Sequence, residues 1–273
     1  MVSQEQRRRQ LAREKFLRQQ QRRTSARRRT HTRNAVIAAV VGVVVAGGAT
    51  AYATGVFESD GKKANAGAEA TPSATPTSKA PDPCQKPAEG QVKSLTWKKE
   101  PAVTIDKASA YTMKMATTCG DIDIALKASA APHTVNSFAF LAGKGYFDHT
   151  KCHRLTTNGI YVLQCGDPTA QGSGGPGYTI PDENLKDKTL KGNVYPAGTI
   201  AMANTGQKHT GGSQFFLVYQ DSQLPPSYTP FGTISKSGMT VLKKIAAAGE
   251  STGQGDGAPN ATVVVNKLTV TKS

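Results

Sequence analysis

Apolar and polar positions alternate with period two over residues 111–117 (YTMKMAT) and again over 121–126 (DIDIAL), the pattern of half-buried strands. Cys119-Gly120-Asp121 between them reads as a hairpin turn. The period then changes. Over 132–143, Val135, Phe138, Ala139, Leu141 and Ala142 fall on one helical face, and Gly143 and Gly145 end the helix. Short apolar segments at 152–156, 161–165, 199–203, 214–218 and 231–235 read as further strands. A second helix is predicted over 239–248, closing at Gly249, and a last strand over 263–271. Eight short strands, two helices and Gly-rich loops predict a mainly β domain, a closed eight-stranded antiparallel barrel capped by the helices.

Upstream of this domain the pattern is different. Residues 35–57 carry no charge; as a helix they reach about 34 Å, enough to cross a hydrocarbon core of roughly 30 Å. The twelve Lys and Arg of residues 1–33, against two Glu, flank this run on its N-terminal side. By the positive-inside rule the N-terminus stays cytoplasmic and the rest lies outside. Ala51-Tyr52-Ala53 resembles a cleavage site, so secretion after signal cleavage is the alternative. Residues 61–87 are dominated by Ala, Gly, Thr, Ser, Pro and Lys, which cannot offset their ordering entropy. The expected organisation is a basic cytoplasmic tail (1–34), a transmembrane signal anchor (35–57), a disordered linker (58–100) and a β domain (101–273).

The net charge of +15 suggests nucleic acid at first. But residues 1–33 contribute +10 of it, leaving an ordinary +5 on the other 240 residues. Beside an apolar span, the tail is better matched to anionic lipid, and no nucleic-acid partner is expected. The four cysteines, Cys84, Cys119, Cys152 and Cys165, all fall on the exported side and permit two disulfides. There is no C-x-x-C pair and the five histidines are scattered, so no metal site is expected. Gly172, Gly174 and Gly177 spell a dinucleotide fingerprint, but Pro176 interrupts it and no helix pattern follows. Asn260-Ala261-Thr262 matches a glycosylation sequon by pattern only.

Three stretches carry chemistry: CHRLTTNGIYVLQCGD (152–167), MANTGQKHTGGSQFFLV (202–218) and LPPSYTPFG (224–232). In order and spacing they resemble the cyclophilin family of peptidyl-prolyl isomerases over residues 110–271, most closely its membrane-anchored actinobacterial type. The resemblance implies a hydrophobic groove on the outer face of the barrel. Carried over by position, it makes Arg154 the catalytic arginine, with Gln164 orienting it and His153 as its neighbour. Tyr161 takes the place of a groove Phe, with Val162 beside it. Ala203, Asn204 and Thr205 form a shelf for the peptide backbone; Gln214 and Phe216 come from the next strand, and Leu224 and Tyr228 complete the wall. The sequence departs from the family pattern by two extra residues through Thr156-Thr157-Asn158 and by one near Lys208. It also has Gln223 where cyclosporin-sensitive members carry Trp, which implies weak binding of that drug.

The chemistry suits these residue types. Amide resonance gives the X–Pro bond a barrier near 18–20 kcal/mol. No leaving group departs, so no nucleophile, metal or cofactor is needed. A guanidinium over the prolyl nitrogen donates more strongly to the twisted amide than to the planar one, which is differential transition-state binding. Period-two alternation puts Phe215 and Phe216 on opposite faces, one in the interior and one in the groove. Pairing of the strands that bracket Arg154 would bring Cys152 and Cys165 within disulfide reach, leaving Cys84 and Cys119 as a second bridge. The expected activity is prolyl isomerisation during folding of extracytoplasmic proteins by a monomer acting on proline-containing chains. The alternative is a proline-peptide binding or chaperone module with little turnover.

Overall fold

The computed structural model describes residues 81–273. The basic tail, the apolar run and the first part of the linker lie outside the described residues, and no helix among those described is long and apolar enough to cross a membrane. Strands β1 (Tyr111–Thr117) and β2 (Gly120–Leu126) form the expected hairpin. Its turn is Thr118-Cys119, one residue earlier than expected, because the Thr117 hydroxyl donates to Gly120 O (2.6 Å) and accepts from Cys119 N (3.1 Å). Met113, Met115, Ile122 and Ile124 point inward and are fully buried. Lys114 and Asp121, 2.7 Å apart, remain half exposed on the other face, where an ion pair contributes little.

Helix α1 (Pro132–Gly143) has the expected bounds. Pro132 starts it, where its missing N–H costs nothing. Ala131 offers no side-chain cap; instead the distant Glu183 carboxylate accepts from the backbone N–H groups of His133 (3.0 Å) and Thr134 (2.9 Å). A carboxylate there satisfies orphan donors and complements the helix dipole. The inward face of α1 delivers Phe138, whose ring lies 5.2 Å from Phe147, 5.4 Å from Phe215 and 4.7 Å from Phe231. This aromatic knot is the centre of the main core.

After α1 come β3 (Thr150–Lys151), β4 (Arg154–Thr156), β5 (Val162–Cys165), β6 (Val194–Tyr195), β7 (Thr199–Met202), β8 (Phe215–Val218), β9 (Ser222–Gln223) and β10 (Pro230–Ile234). Helix α2 (Lys236–Ala247), β11 (Asp256–Gly257) and β12 (Val264–Lys272) complete the chain. Helix α2 begins three residues before the expected start because Ser235 caps it, accepting from Gly238 N at 3.0 Å.

Ten strands make one curled antiparallel sheet in the order β11-β4-β5-β8-β7-β10-β2-β1-β12-β3, and β6 pairs separately with β9. The antiparallel character and the two helices match expectation; the closed eight-stranded count does not. The end strands β3 and β11 do not pair with one another. Instead, the segment expected as one strand over 152–156 is split. Cys152 N donates to Val263 O, extending from β12, and His153 N donates to Gln164 O on β5. Two adjacent residues thereby bridge from one end of the sheet to the other.

Residues 81–100, expected from composition to be mobile linker, lie against the domain. They have no regular structure but are anchored at several points. Cys84 is disulfide-bonded to Cys119, Gln85 N donates to Thr118 O, and Trp97 N donates to Pro176 O at 2.8 Å. The Trp97 ring meets Phe140 edge-on at 5.1 Å. Composition averages over a window; here a few isolated side chains outweigh it. Closing a loop of this length contributes about 2–4 kcal/mol. Replacing Cys84 and Cys119 by Ser is expected to lower urea-unfolding stability by that amount. It should also expose residues 85–100 to limited proteolysis while the far-ultraviolet spectrum is retained.

Candidate functional site

Strand register assembles the site. Arg154 on β4 pairs with Gln164 on β5, Gln164 with Phe216 on β8, and Phe216 with Ala201 on β7. Residues directly opposite in an antiparallel sheet share a face, so this row presents cation, amide and aromatic ring side by side on the outer face. The next row, Leu155, Leu163, Leu217 and Ile200, points the other way and is fully buried in the main core. Phe215 joins the core and Phe216 the outer row, as alternation requires.

The apolar part is a second, smaller cluster of Val162, Tyr195, Ala201, Phe216 and Val218, edged by Ile160, Ala203, Leu224 and Tyr228. Tyr228 stands edge-on to Phe216, 5.4 Å between centroids. Tyr161 is not in it. Counting back by twos from Gln164 reaches Val162 and Ile160; Tyr161 has the opposite phase, packs against the main core and meets Tyr219 at 5.9 Å. Ile160 therefore edges the outer apolar cluster, while Tyr161 packs on the main core. Tyr195 also had no sequence signal. Its ring is fully buried, its hydroxyl donates to Tyr228 O at 2.8 Å and accepts from Tyr228 N at 3.2 Å, and burial raises its pKa to about 12. Tyr195 thus fastens the loop that carries Leu224 and Tyr228. Gln223 is exposed and its side-chain amide donates to Gly192 O at 2.9 Å.

A polar relay runs along the opposite rim. Arg154 Nε and Nη2 donate to the two oxygens of Asp256 at 2.7 and 2.8 Å, and Nη1 donates to Gln164 Oε1 at 3.2 Å. Gln164 Nε2 donates to Gln214 Oε1, and Gln214 Nε2 to Gly174 O, both at 2.9 Å. The carboxylate beside Arg154 holds its pKa up, and the same bond holds Asp256 below the usual carboxylate range. Asp256 lies 102 residues along the chain from Arg154, so periodicity could not have linked them. Its loop is organised by Glu250, which accepts from Thr252 N (2.6 Å) and Gly255 N (2.8 Å). The loop docks on the lengthened arm: Asp256 pairs with Thr156, Thr157 N donates to Gly255 O, and Gly255 abuts Asn158. The extra residues of that arm are where Asp256 is received.

The shelf is also assembled. Ala203 N donates to Gln214 O at 2.9 Å, Asn204 Nδ2 to Ser227 O at 2.8 Å, and Thr205 N to Thr210 Oγ1 at 3.1 Å. Beyond it lies a cavity of about 890 Å³, lined in part by Gln164, Gln214, Ala203, Asn204 and Thr205. The Cys152–Cys165 disulfide forms as expected, and joins the residue two before Arg154 to the one after Gln164. Asn260, the sequon residue, spends its side-chain amide on Ala248 O and Glu250 O. Among the described residues no group of three or more His, Cys, Asp or Glu could hold a metal.

His153 is turned from this rim toward the loop at Gly172, and neither ring nitrogen has a hydrogen-bond partner among the described residues. Burial is the main cause of its lowered pKa, with the Asp167 charge opposing and the Arg154 charge adding. The folded state therefore favours the neutral ring. Below the ordinary histidine pKa of about 6.5, the unfolded chain binds a proton that the folded chain resists, so stability falls with pH in that window. Urea midpoints at pH 7 and pH 5 should differ in the wild type and converge in His153→Gln.

Comparison with known proteins bears on the fold and the family. The description "Cyclophilin type peptidyl-prolyl cis-trans isomerase/CLD" matches residues 112–270. A probable peptidyl-prolyl cis-trans isomerase B of Mycobacterium leprae is 51% identical over 162 residues, 56% of this chain and 55% of the relative. A protein of the same description from Mycobacterium tuberculosis is 47% identical over 164 residues, 57% of this chain and 53% of the relative. The chain thus spans about half the length of the curated relatives it matches. Among solved structures, a Cryptosporidium parvum cyclophilin type peptidyl-prolyl cis-trans isomerase is similar with a TM-score of 0.50 and 25% identity, covering 60% of this chain and 99% of that one. With the matched description spanning more than half of its residues, the chain belongs to the cyclophilin-type peptidyl-prolyl cis-trans isomerase family.

Proposed function

We propose that this protein is a peptidyl-prolyl cis-trans isomerase that acts on extracytoplasmic polypeptides from a membrane tether. The observation that carries the activity is the guanidinium of Arg154, fixed on three sides beside an apolar pocket floored by Phe216. A guanidinium has five N–H donors; bonds to Asp256 and Gln164 engage one on each nitrogen. One N–H on each terminal nitrogen stays available to a substrate. The proline ring is taken to sit among Phe216, Leu224, Tyr228, Ile160 and Val162, with the preceding residue on the Ala203–Asn204 shelf. Rotation about the amide returns the lone pair to the prolyl nitrogen, and an available N–H of Arg154 then donates to it. His153 moves no proton. The tether rests on the apolar run at 35–57 and its basic flank, and the two disulfides support an oxidising compartment.

A 10⁵-fold acceleration requires about 7 kcal/mol. A hydrogen bond to a charged group supplies about 1.5–3 kcal/mol, so clamping of the peptide has to provide the rest. Arg154→Ala is expected to lower kcat/KM about 10²- to 10³-fold, the usual cost of one transition-state donor, in exchange-NMR measurements on an Ala-Pro peptide. A wild type no faster than the thermal rate would reduce the protein to a binding module.

Asp256 acts through Arg154. Asp256→Ala is expected to lower kcat about tenfold with little change in KM, the signature of an interaction realised mainly in the transition state. Asp256→Glu should restore part of the loss. A melting temperature unchanged in both variants separates this positioning role from a structural one.

A further inference from the structure

The cavity beyond the shelf is not built by the sheet alone. Its outer wall includes Lys98, Lys99 and Glu100 from the segment that precedes β1. That segment is held at its position by close packing. Trp97 O would lie 2.7 Å from a Cβ at Gly177, whose φ of +86° also favours glycine. Trp97 N donates to Pro176 O, and the Trp97 ring is wedged against Phe140 and Tyr146.

The charges there are unequal. Glu100 is engaged, its Oε1 2.7 Å from His133 Nδ1. Asp167, the buried carboxylate beneath the loop, is satisfied by Thr169, Gln171 and Gly174. Lys98 and Lys99 are exposed, and among the described residues no hydrogen bond or ion pair holds either. The rest of the lining, which includes glycines 172, 174, 175 and 177 and the amides of Gln164 and Gln214, carries no charge. The lining therefore carries two unmatched positive charges in the same cavity that Ala203, Asn204 and Thr205 border.

We propose that Lys98 and Lys99 make this cavity a subsite for an acidic side chain two or three residues before the proline. The proposal rests on the isomerase reading, in which the residue before proline lies on the Ala203–Asn204 shelf that opens into the cavity. An extended chain advances at most about 3.3–3.6 Å per residue, so the next one or two residues enter the cavity. Discrimination comes from a segment outside the sheet, and the proline pocket stays common to all substrates.

The test uses the full-length chain and matched peptides with Glu, Gln or Lys at the second or third position before Ala-Pro. Exchange NMR gives kcat/KM and titration gives Kd. At low salt the Glu peptide should exceed the Gln peptide by about threefold to tenfold, the range of one or two exposed ion pairs, mainly through Kd. The ratio should shrink as salt rises to about 0.5 M, disappear in Lys98→Gln/Lys99→Gln and invert in Lys98→Glu/Lys99→Glu. Equal handling of Glu and Gln peptides, or a preference that survives in the double Gln variant, overturns the subsite. Failure to isomerise any peptide overturns the enzyme reading instead, and the Kd ratio still decides the subsite.

Discussion

Strand register is the constraint on which the rest depends. Arg154, Gln164, Phe216 and Ala201 are far apart in sequence and become neighbours only because β4, β5, β8 and β7 pair at one offset. A slip by one residue would exchange this row for Leu155, Leu163, Leu217 and Ile200, turning leucines to water and a guanidinium into the core. The cost of burying that charge makes the alternative inaccessible. The Cys152–Cys165 disulfide secures the same register covalently. Gly166 secures it sterically, since its φ of +87° and the approach of Ser213 O leave no room for a side chain.

Where periodicity decides structure, the sequence was legible. The β1–β2 hairpin, the bounds of α1 and the division of Phe215 from Phe216 follow from counting by 2 or by 3.6, and the Cys152–Cys165 bridge from pairing of the strands that bracket Arg154. At Tyr161 position and phase differ: matching by motif preserves position, whereas the strand's alternation turns Tyr161 toward the main core. The lengthened arm turns at Gly159 (φ +74°), with a bridge from Asn158 to Ile160, and places Ile160 on the groove face. Asp256 and Tyr195 were invisible for another reason. Each acts through a contact made by tertiary packing, from a two-residue strand too short to show a period. Residues 81–100 misled because Cys84 and Trp97 are isolated among polar neighbours and form no apolar pattern, yet each makes a strong contact.

The supports of the site share one physical device: a buried or half-buried polar group whose bonds close a loop. Glu250 gathers Thr252 and Gly255 and so presents Asp256; Tyr195 grips Tyr228 from both sides. Asp167 collects Thr169, Gln171 and Gly174. For Asp167, burial pushes the carboxyl up, but hydrogen bonds from Thr169, Gly174 and Gly172 more than offset it and its pKa is lowered. An unsatisfied group in any of these positions would cost more than its bond contributes, which favours the closed form of each loop. Rigid loops matter because a donor displaced by an ångström loses most of its differential effect.

Arg154 is held differently from these supports, and the difference fits its proposed task. Its side chain is 37% exposed and its partner Asp256 56% exposed, so the pair is too wet to add much stability. What the bidentate geometry supplies is orientation: two parallel bonds fix the plane of the guanidinium, and Gln164 fixes its rotation about that plane. A lysine would offer a point charge with no plane to fix. In the proposed reading, a proline ring over Phe216 would displace water from the rim, and the available N–H groups would act in a drier medium, where each charge interaction strengthens. On that reading the orientation is set beforehand by Asp256 and Gln164, and the substrate would add only the drier medium in which a preorganised donor acts.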